Sequence, residues 1–319
     1  MTAGVREGAP PLRELVRPPR LRPGDRVAVV APSSPVPPEV LAEGCALLRG
    51  WGLEVEVAPH VLRRHRSLPH LAGSDAGKVD DLQAAWLDPG VAAVLCARGG
   101  YGAHRIVDLL DWAALAAAPP KVLAGFSDVT ALHTAFAVRL GLSTLHAPMP
   151  GSPLLTGDER GQELLRRALF EPESVQVLGG PDAVPLVGGR ARGITVGGCA
   201  SLLAADLGTP TALPGARGGI LLLEDIGEEP GRLDRILTQL LRSGWLDGVA
   251  GIALGSWEDC GPPEVLRALM LDRLGPLGVP IVWEHGFGHC GSQFTVPLGV
   301  PAVLDADAGL LTLELPALR

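Results

Sequence analysis

Ser127 lies where a short apolar segment gives way to an amphipathic one, and a serine in that position can act as a nucleophile. Residues 121–124 are predicted to form a strand and residues 129–140 a helix. A tight strand-to-helix turn presents the serine Oγ outward, beside free N–H groups of the helix N-terminus that can stabilise an oxyanion. The spacing is not G-x-S-x-G, so membership of the ordinary α/β-hydrolases does not follow. From this segment alone, capping of the helix by Ser127 or Asp128 is the favoured interpretation.

A second candidate is the glycine-rich loop at residues 98–102 (RGGYG), directly after the continuous apolar run at residues 91–96. Glycines let a backbone approach a ligand closely and adopt positive φ. Loops at the carboxyl ends of the strands line the binding crevice of a doubly wound sheet. Tyr101, the only tyrosine of the chain, lies in this loop rather than serving as core filler. A phosphate cradle is a weak alternative, because neither GxGxxG nor GxxxxGK[ST] is present.

Two acids end the apolar segment LLLED at residues 221–225. A carboxylate at a strand end can orient a histidine, and it can equally cap the following turn. Glu224 is the candidate for the first role. Asp225, Glu228 and Glu229 are predicted to be surface charges.

Residues 285–289 (HGFGH) supply the fourth candidate, His289, in a loop whose glycines leave an imidazole free to face a ligand. A serine hydroxyl is a poor nucleophile unless a base lies within hydrogen-bond reach and a third group orients that base. His104 and His133 fall on predicted helices, where packing or solvent exposure explains them. A metal site built from His285 and His289 has no H-E-x-x-H or other ligand pattern behind it, so no metal and no cofactor are expected.

The elements that must position these residues alternate between strand and helix through the first half of the chain. Such alternation implies right-handed βαβ units and a parallel sheet, hence a doubly wound α/β domain. Continuous apolar runs fit central strands covered on both faces. The predicted strands are residues 26–31, 53–57, 91–96, 121–124 and 143–147, and the predicted helices are residues 38–51, 78–87, 103–111 and 129–140.

The second half is richer in Gly, Pro and Val, and we predict a second, smaller β-rich α/β domain there. A helix at residues 158–170, with Asp158 as its N-cap, precedes the crossover. The predicted division is a flexible N-terminal tail at 1–20, a first domain at 21–172 and a second domain at 173–319. Further expected elements are strands near 219–223 and 250–254 and helices near 231–242 and 263–274.

Composition excludes several classes of protein. The chain has 319 residues, of which 47% are apolar and 19% charged, as in a soluble globular protein. The formal net charge is −8 and no long basic run occurs, which argues against a nucleic-acid partner. The five cysteines are dispersed along the sequence, which is typical of proteins whose thiols stay reduced. No signal-like segment and no membrane-length apolar run occurs, so a cytoplasmic protein without a membrane partner is expected.

Taken in order, the motifs resemble the muramoyltetrapeptide L,D-carboxypeptidases of serine peptidase family S66. The resemblance covers nearly the whole chain after residue 20. Each motif alone is weak, and the ordered set is specific. The segments that carry it are LRPGDRVAVVAPSS (21–34), ARGGYG (97–102), KVLAGFSDVTALH (121–133), GGxxSL (197–202), GTP (208–210), LLLEDIGEEPGRLDRIL (221–237) and GFGH…VPLG (286–299).

The resemblance implies that Ser127 is the nucleophile, Glu224 the acid and His289 the base. It implies a flavodoxin-like N-terminal domain that carries the serine and a β-rich C-terminal domain that carries the acid and the histidine. The implied substrate is a murein tetrapeptide that loses its terminal D-Ala during cell-wall recycling. The family is commonly dimeric, and the sequence does not decide between a monomer and a homodimer.

Further roles follow if the catalytic assignment holds. The backbone N–H groups of Gly100 and Asp128 are expected to form the oxyanion hole, and Arg98 and Tyr101 to contact the substrate. Because the serine and the histidine belong to different predicted domains, the cleft between the domains should hold the substrate.

Three positions depart from the family pattern: Cys199 where Asn is usual, Lys78 where Arg is common and Ala147 where Gly is common. None of them is a member of the triad. Two rival functions stay open, namely an immunity-type hydrolase of the same family that cleaves a peptide-nucleotide antibiotic, and a non-catalytic small-molecule binding protein. A third rival is a catalytically idle family member, against which the intact Ser, Glu and His positions argue. The segment TALPGARGGILL at residues 211–222 has no aromatic residue for base stacking, which favours the murein substrate over the antibiotic.

Overall fold

Two β-sheets organise the chain in the computed structural model, which describes residues 9–319. In the first sheet five neighbouring strands are parallel, and a sixth pairs antiparallel at the edge. In spatial order these strands are β2 (Glu54–Val57), β1 (Arg26–Val30), β3 (Val91–Cys96), β4 (Val122–Gly125), β5 (Thr144–His146) and β12 (Val296–Leu298). The parallel order 2-1-3-4-5 is that of flavodoxin-like folds, so the predicted fold class is confirmed.

The second sheet has eight strands and mixes parallel with antiparallel pairs. This makes the second half β-rich, as predicted. In spatial order its strands are β6 (Val177–Leu178), β14 (Leu310–Leu313), β13 (Pro301–Asp305), β8 (Arg190–Cys199), β9 (Gly219–Ile226), β10 (Gly251–Glu258), β11 (Ile281–Trp283) and β7 (Val184–Val187).

Helices cover the two sheets, and six of the seven predicted helices are present, whereas α3, α5 and α7 were not predicted. Asp158 is the N-cap of its helix, as predicted, and accepts hydrogen bonds from the N–H groups of Arg160 and Gly161. The helices are α1 (Pro38–Gly50), α2 (Asp75–Leu87), α3 (Trp112–Ala117), α4 (Thr130–Leu140), α5 (Pro153–Thr156), α6 (Glu159–Phe170), α7 (Ala200–Asp206), α8 (Pro230–Arg242) and α9 (Pro263–Leu274). No helix within residues 9–319 is both long and apolar enough to cross a membrane.

The helix predicted at residues 103–111 is wrong. This segment forms two short 3-10 turns, Ala103–Arg105 and Val107–Leu109, before α3 begins. The physical reason is a contact distant in sequence: the buried Asp128 carboxylate accepts a hydrogen bond from the N–H of Ala103, which fixes the start of the segment.

Both faces of the first sheet are buried, which explains its continuous apolar strands. Along β3, Val94 and Cys96 belong to one core cluster, while Ala93 and Leu95 belong to the cluster on the opposite face. Successive side chains of a strand point to opposite faces, so a strand covered on both sides needs apolar residues at every position.

One strand of the second half joins the sheet of the first half. β12 comes from the second half of the sequence, yet it lies at the edge of the first sheet, with Val296 paired to His146 and Leu298 to Thr144. A second junction is the hydrogen bond that the N–H of Cys199 donates to the Thr130 Oγ1. The division into domains at 21–172 and 173–319 therefore remains a proposal in which one strand crosses the boundary.

Residues 9–20, part of the predicted flexible tail, lie along both halves. Leu12 and Leu15 donate backbone hydrogen bonds to the carbonyls of Arg217 and Gly299 in the second half, and Val16 donates to Gly141 in the first. These bonds hold the segment in place, so the expected flexibility does not describe it. The rest of the predicted tail, residues 1–8, lies outside the described residues.

Removal of residues 1–20 should destabilise the protein, because it deletes these backbone hydrogen bonds, each contributing about 0.5–1.5 kcal/mol. We expect the melting temperature to fall by roughly 5–10 °C relative to a chain lacking residues 1–8, which keeps all of them. Differential scanning calorimetry of the two truncated proteins provides the measurement. Equal melting temperatures would show that the segment does not tie the halves together.

Candidate active site

Ser127 lies at a strained turn between β4 and α4. Its φ is +63°, in a region that residues other than glycine seldom occupy. Residues with such strained backbone cluster at functional sites. A short 3-10 turn, Ser127–Val129, leads into α4, and no side chain caps either helix. The prediction that Ser127 or Asp128 caps the helix is therefore wrong, and capping does not account for the strained backbone of Ser127.

The glycine-rich loop packs directly against this turn. A Cβ at Gly99 would lie 2.8 Å from the Cβ and 3.0 Å from the Oγ of Ser127. At Gly100 the φ is +108° and a Cβ would lie 2.2 Å from the Oγ of Ser34. Both positions thus require glycine, and the loop presents bare backbone to the serine. Among the described residues, the N–H of Gly100 donates to no partner.

Asp128 fastens the serine turn to the loop. Its side chain is buried and its Oδ2 accepts a 2.8 Å hydrogen bond from the N–H of Ala103. Burial raises the pKa of the Asp128 carboxyl, although the hydrogen bond from the N–H of Ala103 counteracts part of that effect. The carboxylate faces the protein interior, so only the backbone N–H of Asp128 remains for a role at the cleft.

Glu224 and His289 form a buried pair. Glu224 ends the apolar part of β9 and is fully buried, and its Oε2 accepts a 2.6 Å hydrogen bond from the Nδ1 of His289. The His289 loop approaches so closely because Gly288 has no side chain: a Cβ there would lie 2.7 Å from the Glu224 Oε2. His289 thus receives the orienting carboxylate that a catalytic base needs.

Glu224 is held in its ionised form. Burial alone would raise the pKa of Glu224, but the charge of His289, the hydrogen bond that His289 donates and the nearby His146 imidazole lower it to about 2. Burial lowers the pKa of His289, and the Glu224 carboxylate more than compensates, so that the net shift is upward. An imidazole in this setting accepts a proton readily, as a general base must.

Ser127 and His289 line the same cleft of about 310 Å³. The ring of His289 packs 4.8 Å, centroid to centroid, from the ring of Phe126, the residue before the serine. Ser127 from the first half and His289 from the second half therefore line one cleft, and Glu224 holds the imidazole by its hydrogen bond. The other residues around the cleft are Pro37, Val40, Arg98, Gly99, Gly100, Phe126, Met149, Gly151, Ser152, Pro153 and Leu154.

The two predicted substrate-binding residues are placed differently. Arg98 lines the cleft, is exposed, donates a 3.1 Å hydrogen bond from Nη1 to the carbonyl of Pro35, and has no carboxylate partner among the described residues. Tyr101 does not line the cleft. Its side chain is 69% exposed at the outer end of the loop and packs edge-on against His70.

Asp225, predicted to be a surface charge, is buried instead. Its carboxylate accepts hydrogen bonds from the Cys199 Sγ and from the N–H groups of Ser201 and Ile226, which supply the solvation that water would otherwise give. Burial raises its pKa, and the neighbouring Glu224 charge raises it further. Cys199, which departs from the family pattern, thus contacts Asp225 behind the acid and does not line the cleft.

The two histidines of the HGFGH loop have different surroundings. His285 is fully buried and packs near the rings of Phe287 and Phe294, at 6.1 and 6.3 Å between centroids, whereas His289 faces the cleft. Among residues 9–319 no group of three or more His, Cys, Asp or Glu side chains is arranged to hold a metal ion. Of the two histidines in this loop, His285 thus lies in the core and His289 lines the cleft.

Sequence reasoning missed His146, the last residue of β5. Its ring is buried and its Nε2 lies 3.8 Å from the Oε1 of Glu224. A single histidine within an apolar strand has no spacing pattern that points to a partner distant in sequence. The one available signal was its place at the carboxyl end of a strand in a parallel sheet, where binding residues gather.

Comparison with known proteins agrees with the motifs. Two family models match the chain: the LD-carboxypeptidase N-terminal domain at residues 27–147 and the LD-carboxypeptidase C-terminal domain at residues 192–304. A Streptomyces coelicolor protein provisionally named a carboxypeptidase is 65% identical over 96% of this chain and 99% of its own. The murein tetrapeptide carboxypeptidase of Pseudomonas aeruginosa is 35% identical over 88% of this chain and 94% of its own.

Solved structures with the same fold include two kinds of protein. The muramoyltetrapeptide carboxypeptidase from Oxalobacter formigenes has a TM-score of 0.76 and 28% identity, and the match covers 90% of this chain and 97% of that one. MccF in complex with glutamyl sulfamoyl guanosine has a TM-score of 0.84 at 18% identity and covers 95% and 99%, which shows the fold alone. The resemblance read from the motifs is confirmed, and the chain is a carboxypeptidase-type hydrolase that belongs to the LD-carboxypeptidase family, peptidase family S66.

Proposed function

We propose that this protein is a serine-type L,D-carboxypeptidase with Ser127 as nucleophile, His289 as general base and Glu224 as the acid that orients the base. The observation that carries the proposal is the 2.6 Å hydrogen bond between His289 Nδ1 and Glu224 Oε2 beside the strained Ser127, in one cleft. Nucleophile, base and orienting group are recognised by their arrangement rather than by sequence position. Ser292 also has a positive φ, but its hydroxyl donates to the Asp158 carboxylate and it does not line the cleft.

In the proposed reaction, the Ser127 Oγ attacks the carbonyl carbon of the scissile amide while His289 Nε2 accepts the hydroxyl proton. The imidazolium then protonates the leaving amine, the C–N bond breaks and the D-amino acid departs. Water, deprotonated by the same imidazole, attacks the acyl-enzyme ester, and the serine regains its proton. Glu224 stabilises the imidazolium throughout and stays ionised.

The oxyanion formed in this attack needs donors. We propose the backbone N–H groups of Gly100 and Asp128, which flank Ser127 from the glycine-rich loop and from the start of the 3-10 turn. Support comes from the close packing of Gly99 on Ser127 and from the unpartnered N–H of Gly100. A donor of this kind lowers the barrier by about 2.7–4 kcal/mol.

A carboxypeptidase must recognise a free terminal carboxylate, and Arg98 is suited to that task. Its guanidinium lines the cleft with no carboxylate partner among the described residues, and a planar fork of N–H groups matches a carboxylate. We propose that Tyr101, exposed at the end of the same loop, contacts the more distant part of the peptide.

We propose a murein tetrapeptide as the substrate, cleaved to release its terminal D-Ala in the cytoplasm as part of peptidoglycan recycling. Support comes from the names of two relatives, the murein tetrapeptide carboxypeptidase of Pseudomonas aeruginosa and the muramoyltetrapeptide carboxypeptidase of Oxalobacter formigenes. The net charge of −8 argues against a nucleic-acid partner.

The immunity-type hydrolase is the second candidate, because MccF, solved with a sulfamoyl nucleoside, shares the fold. Recognition of a nucleobase usually uses aromatic stacking. Phe126 is the single Phe, Tyr or Trp among the residues that line the cleft, and its ring packs on His289. This leaves no free aromatic platform in the cleft, which favours the murein peptide.

Ser127→Ala should abolish release of D-Ala from murein tetrapeptide, because the acyl-enzyme cannot form, while the melting temperature stays near that of the wild type. Mass spectrometry of tripeptide, tetrapeptide and pentapeptide incubations measures the reaction, and a sulfamoyl-nucleoside peptide tests the second candidate. A fluorophosphonate probe should label wild-type Ser127 and leave the variant unlabelled. Release of D-Ala by the variant would refute the assignment, and absence of labelling in the wild type would favour a binding protein.

Arg98→Gln should raise KM for tetrapeptide about tenfold or more with a smaller change in kcat, because it removes a charge-assisted contact to the terminal carboxylate. A tetrapeptide amide, which lacks that carboxylate, should be turned over equally slowly by both proteins. Arg242→Gln is a matched control, since Arg242 is exposed on α8 outside the cleft. An unchanged KM in the Arg98 variant would remove this residue from the proposal.

Activity should decline in acid as His289 takes up a proton. Because Glu224 raises the pKa of His289, kcat/KM should fall with decreasing pH around a midpoint above the ordinary histidine value. Glu224→Gln removes the charge that favours the imidazolium, so the midpoint should move to lower pH while kcat drops. Rate profiles from pH 5 to 9 test both statements. A midpoint that moves upward in Glu224→Gln would contradict the proposed pairing.

A further inference from the structure

Glu224 has one oxygen that the proposed mechanism leaves without a partner. Its Oε2 accepts from His289, but its Oε1 has no hydrogen bond among the described residues although the whole side chain is buried. A buried carboxylate oxygen without a donor is costly, and structures seldom retain one without a reason. A group that could donate to Oε1 should therefore lie close to it.

His146 is the group that faces this oxygen. Its ring is 1% exposed, its Nε2 lies 3.8 Å from Oε1, and neither ring nitrogen has a hydrogen-bond partner among residues 9–319. The rings of Phe126 and Phe287 pack around it at 5.6 and 5.8 Å between centroids. A charge-assisted N–H···O bond is about 2.7–2.9 Å long, so an approach of roughly 1 Å would complete the contact.

The position of His146 in the sheet links it to the nucleophile. His146 pairs with Gly125, two residues before Ser127, on one side, and with Val296 of β12 on the other. Glu224, by contrast, belongs to the second sheet. The His146–Glu224 contact therefore spans the boundary between the half that carries the serine and the half that carries the acid.

We propose that His146 is a positioning residue that donates a hydrogen bond from Nε2 to the Glu224 Oε1 when the two halves tighten around the substrate. The bond holds the carboxylate in the orientation that His289 requires and favours its ionised form. This inference rests on the proposed function, since it assigns a second imidazole to the acid of the same site. His146 itself does not touch the reacting atoms.

Other titratable groups face the pair and must be kept constant in a test. From the elements packed around Glu224 and His146 these are His133 on α4, Asp225 on β9, Cys199 on β8, Glu258 on β10 and His289 in its loop. His133 donates from Nε2 to the carbonyl of Gly125, and burial together with its neighbour His146 lowers its pKa to about 3. It is neutral at working pH and contributes no charge.

His146→Met removes the donor and keeps an apolar side chain of similar bulk. Loss of a donor to the carboxylate makes the Glu224–His289 pair hold its proton more tightly, so the acidic midpoint of kcat/KM should move to higher pH by about half a unit or more. We expect kcat for tetrapeptide to fall about tenfold, within the range for coupled neighbours, with KM little changed. His146→Gln places an amide N–H near the former Nε2 and should restore the midpoint.

Two controls separate positioning from packing. His285→Met removes another buried imidazole, one that packs on phenylalanine rings, and should leave the midpoint unchanged whatever its effect on the melting temperature. In a Glu224→Gln background, His146→Met should change kcat little, because the acceptor it serves has lost its charge. Equal midpoints for wild type, His146→Met and His146→Gln, or an undiminished kcat effect in the Glu224→Gln background, would overturn the inference.

The titration of His289 can also be followed without any substrate, by NMR of protein labelled with ¹⁵N-histidine. An upward shift of the His289 midpoint in His146→Met, reversed in His146→Gln, is the expected result. If wild-type protein releases no D-Ala but this shift is seen, the proposed substrate fails and the positioning role stands. If D-Ala is released and the shift is absent, the positioning role fails alone.

Discussion

The antiparallel pairing of β12 with β5 is the contact on which the geometry of the cleft depends. β12 follows the loop that carries His289, and β5 lies next to β4, which leads to Ser127. In a sheet, a shift of one residue in register turns every side chain to the opposite face. A slip of β12 would therefore carry the imidazole away from the serine. The relative position of two residues far apart in sequence is set by backbone pairing rather than by any contact between their side chains.

The environment gives three buried carboxylates different properties. Glu224 is fully buried, yet an imidazole on its Oε2 keeps its pKa low, whereas burial raises the pKa values of Asp128 and Asp225. The latter two accept hydrogen bonds from backbone N–H groups and fix loops. Glu224 thus stabilises a charge, whereas Asp128 and Asp225 fix segments of backbone. The contacts of each carboxylate, and not its residue type, decide its role. Separation of this kind is how a single fold assigns distinct roles to chemically identical groups.

The sequence was most informative where local pattern and final environment agree. Apolar runs predicted the buried strands of the first sheet, and the change of periodicity predicted α4 to within a residue. The predictions failed where contacts distant in sequence decide the structure. Asp128 fixes the start of the segment after the glycine-rich loop, which forms 3-10 turns, and the first turn of α7 supplies the Ser201 N–H that donates to the buried Asp225. The pairing of β12 with the first sheet, and with it the place of His146 beside Glu224, is a long-range arrangement that no local spacing encodes.

Backbone strain on both sides of the cleft shows what this arrangement costs. Besides Ser127, the non-glycine residues with positive φ include Glu284 and Ser292, which bracket the loop that carries His289. Such conformations persist only where the surroundings over-determine them. For Ser292 the surroundings are the Asp158 carboxylate, which accepts its N–H and also caps α6. The helix that ends the first half therefore holds the histidine loop of the second. The strain in the histidine loop is thus sustained by the first half, whereas the serine turn packs against the glycine-rich loop of its own half. The second half alone could therefore not keep its side of the cleft in shape.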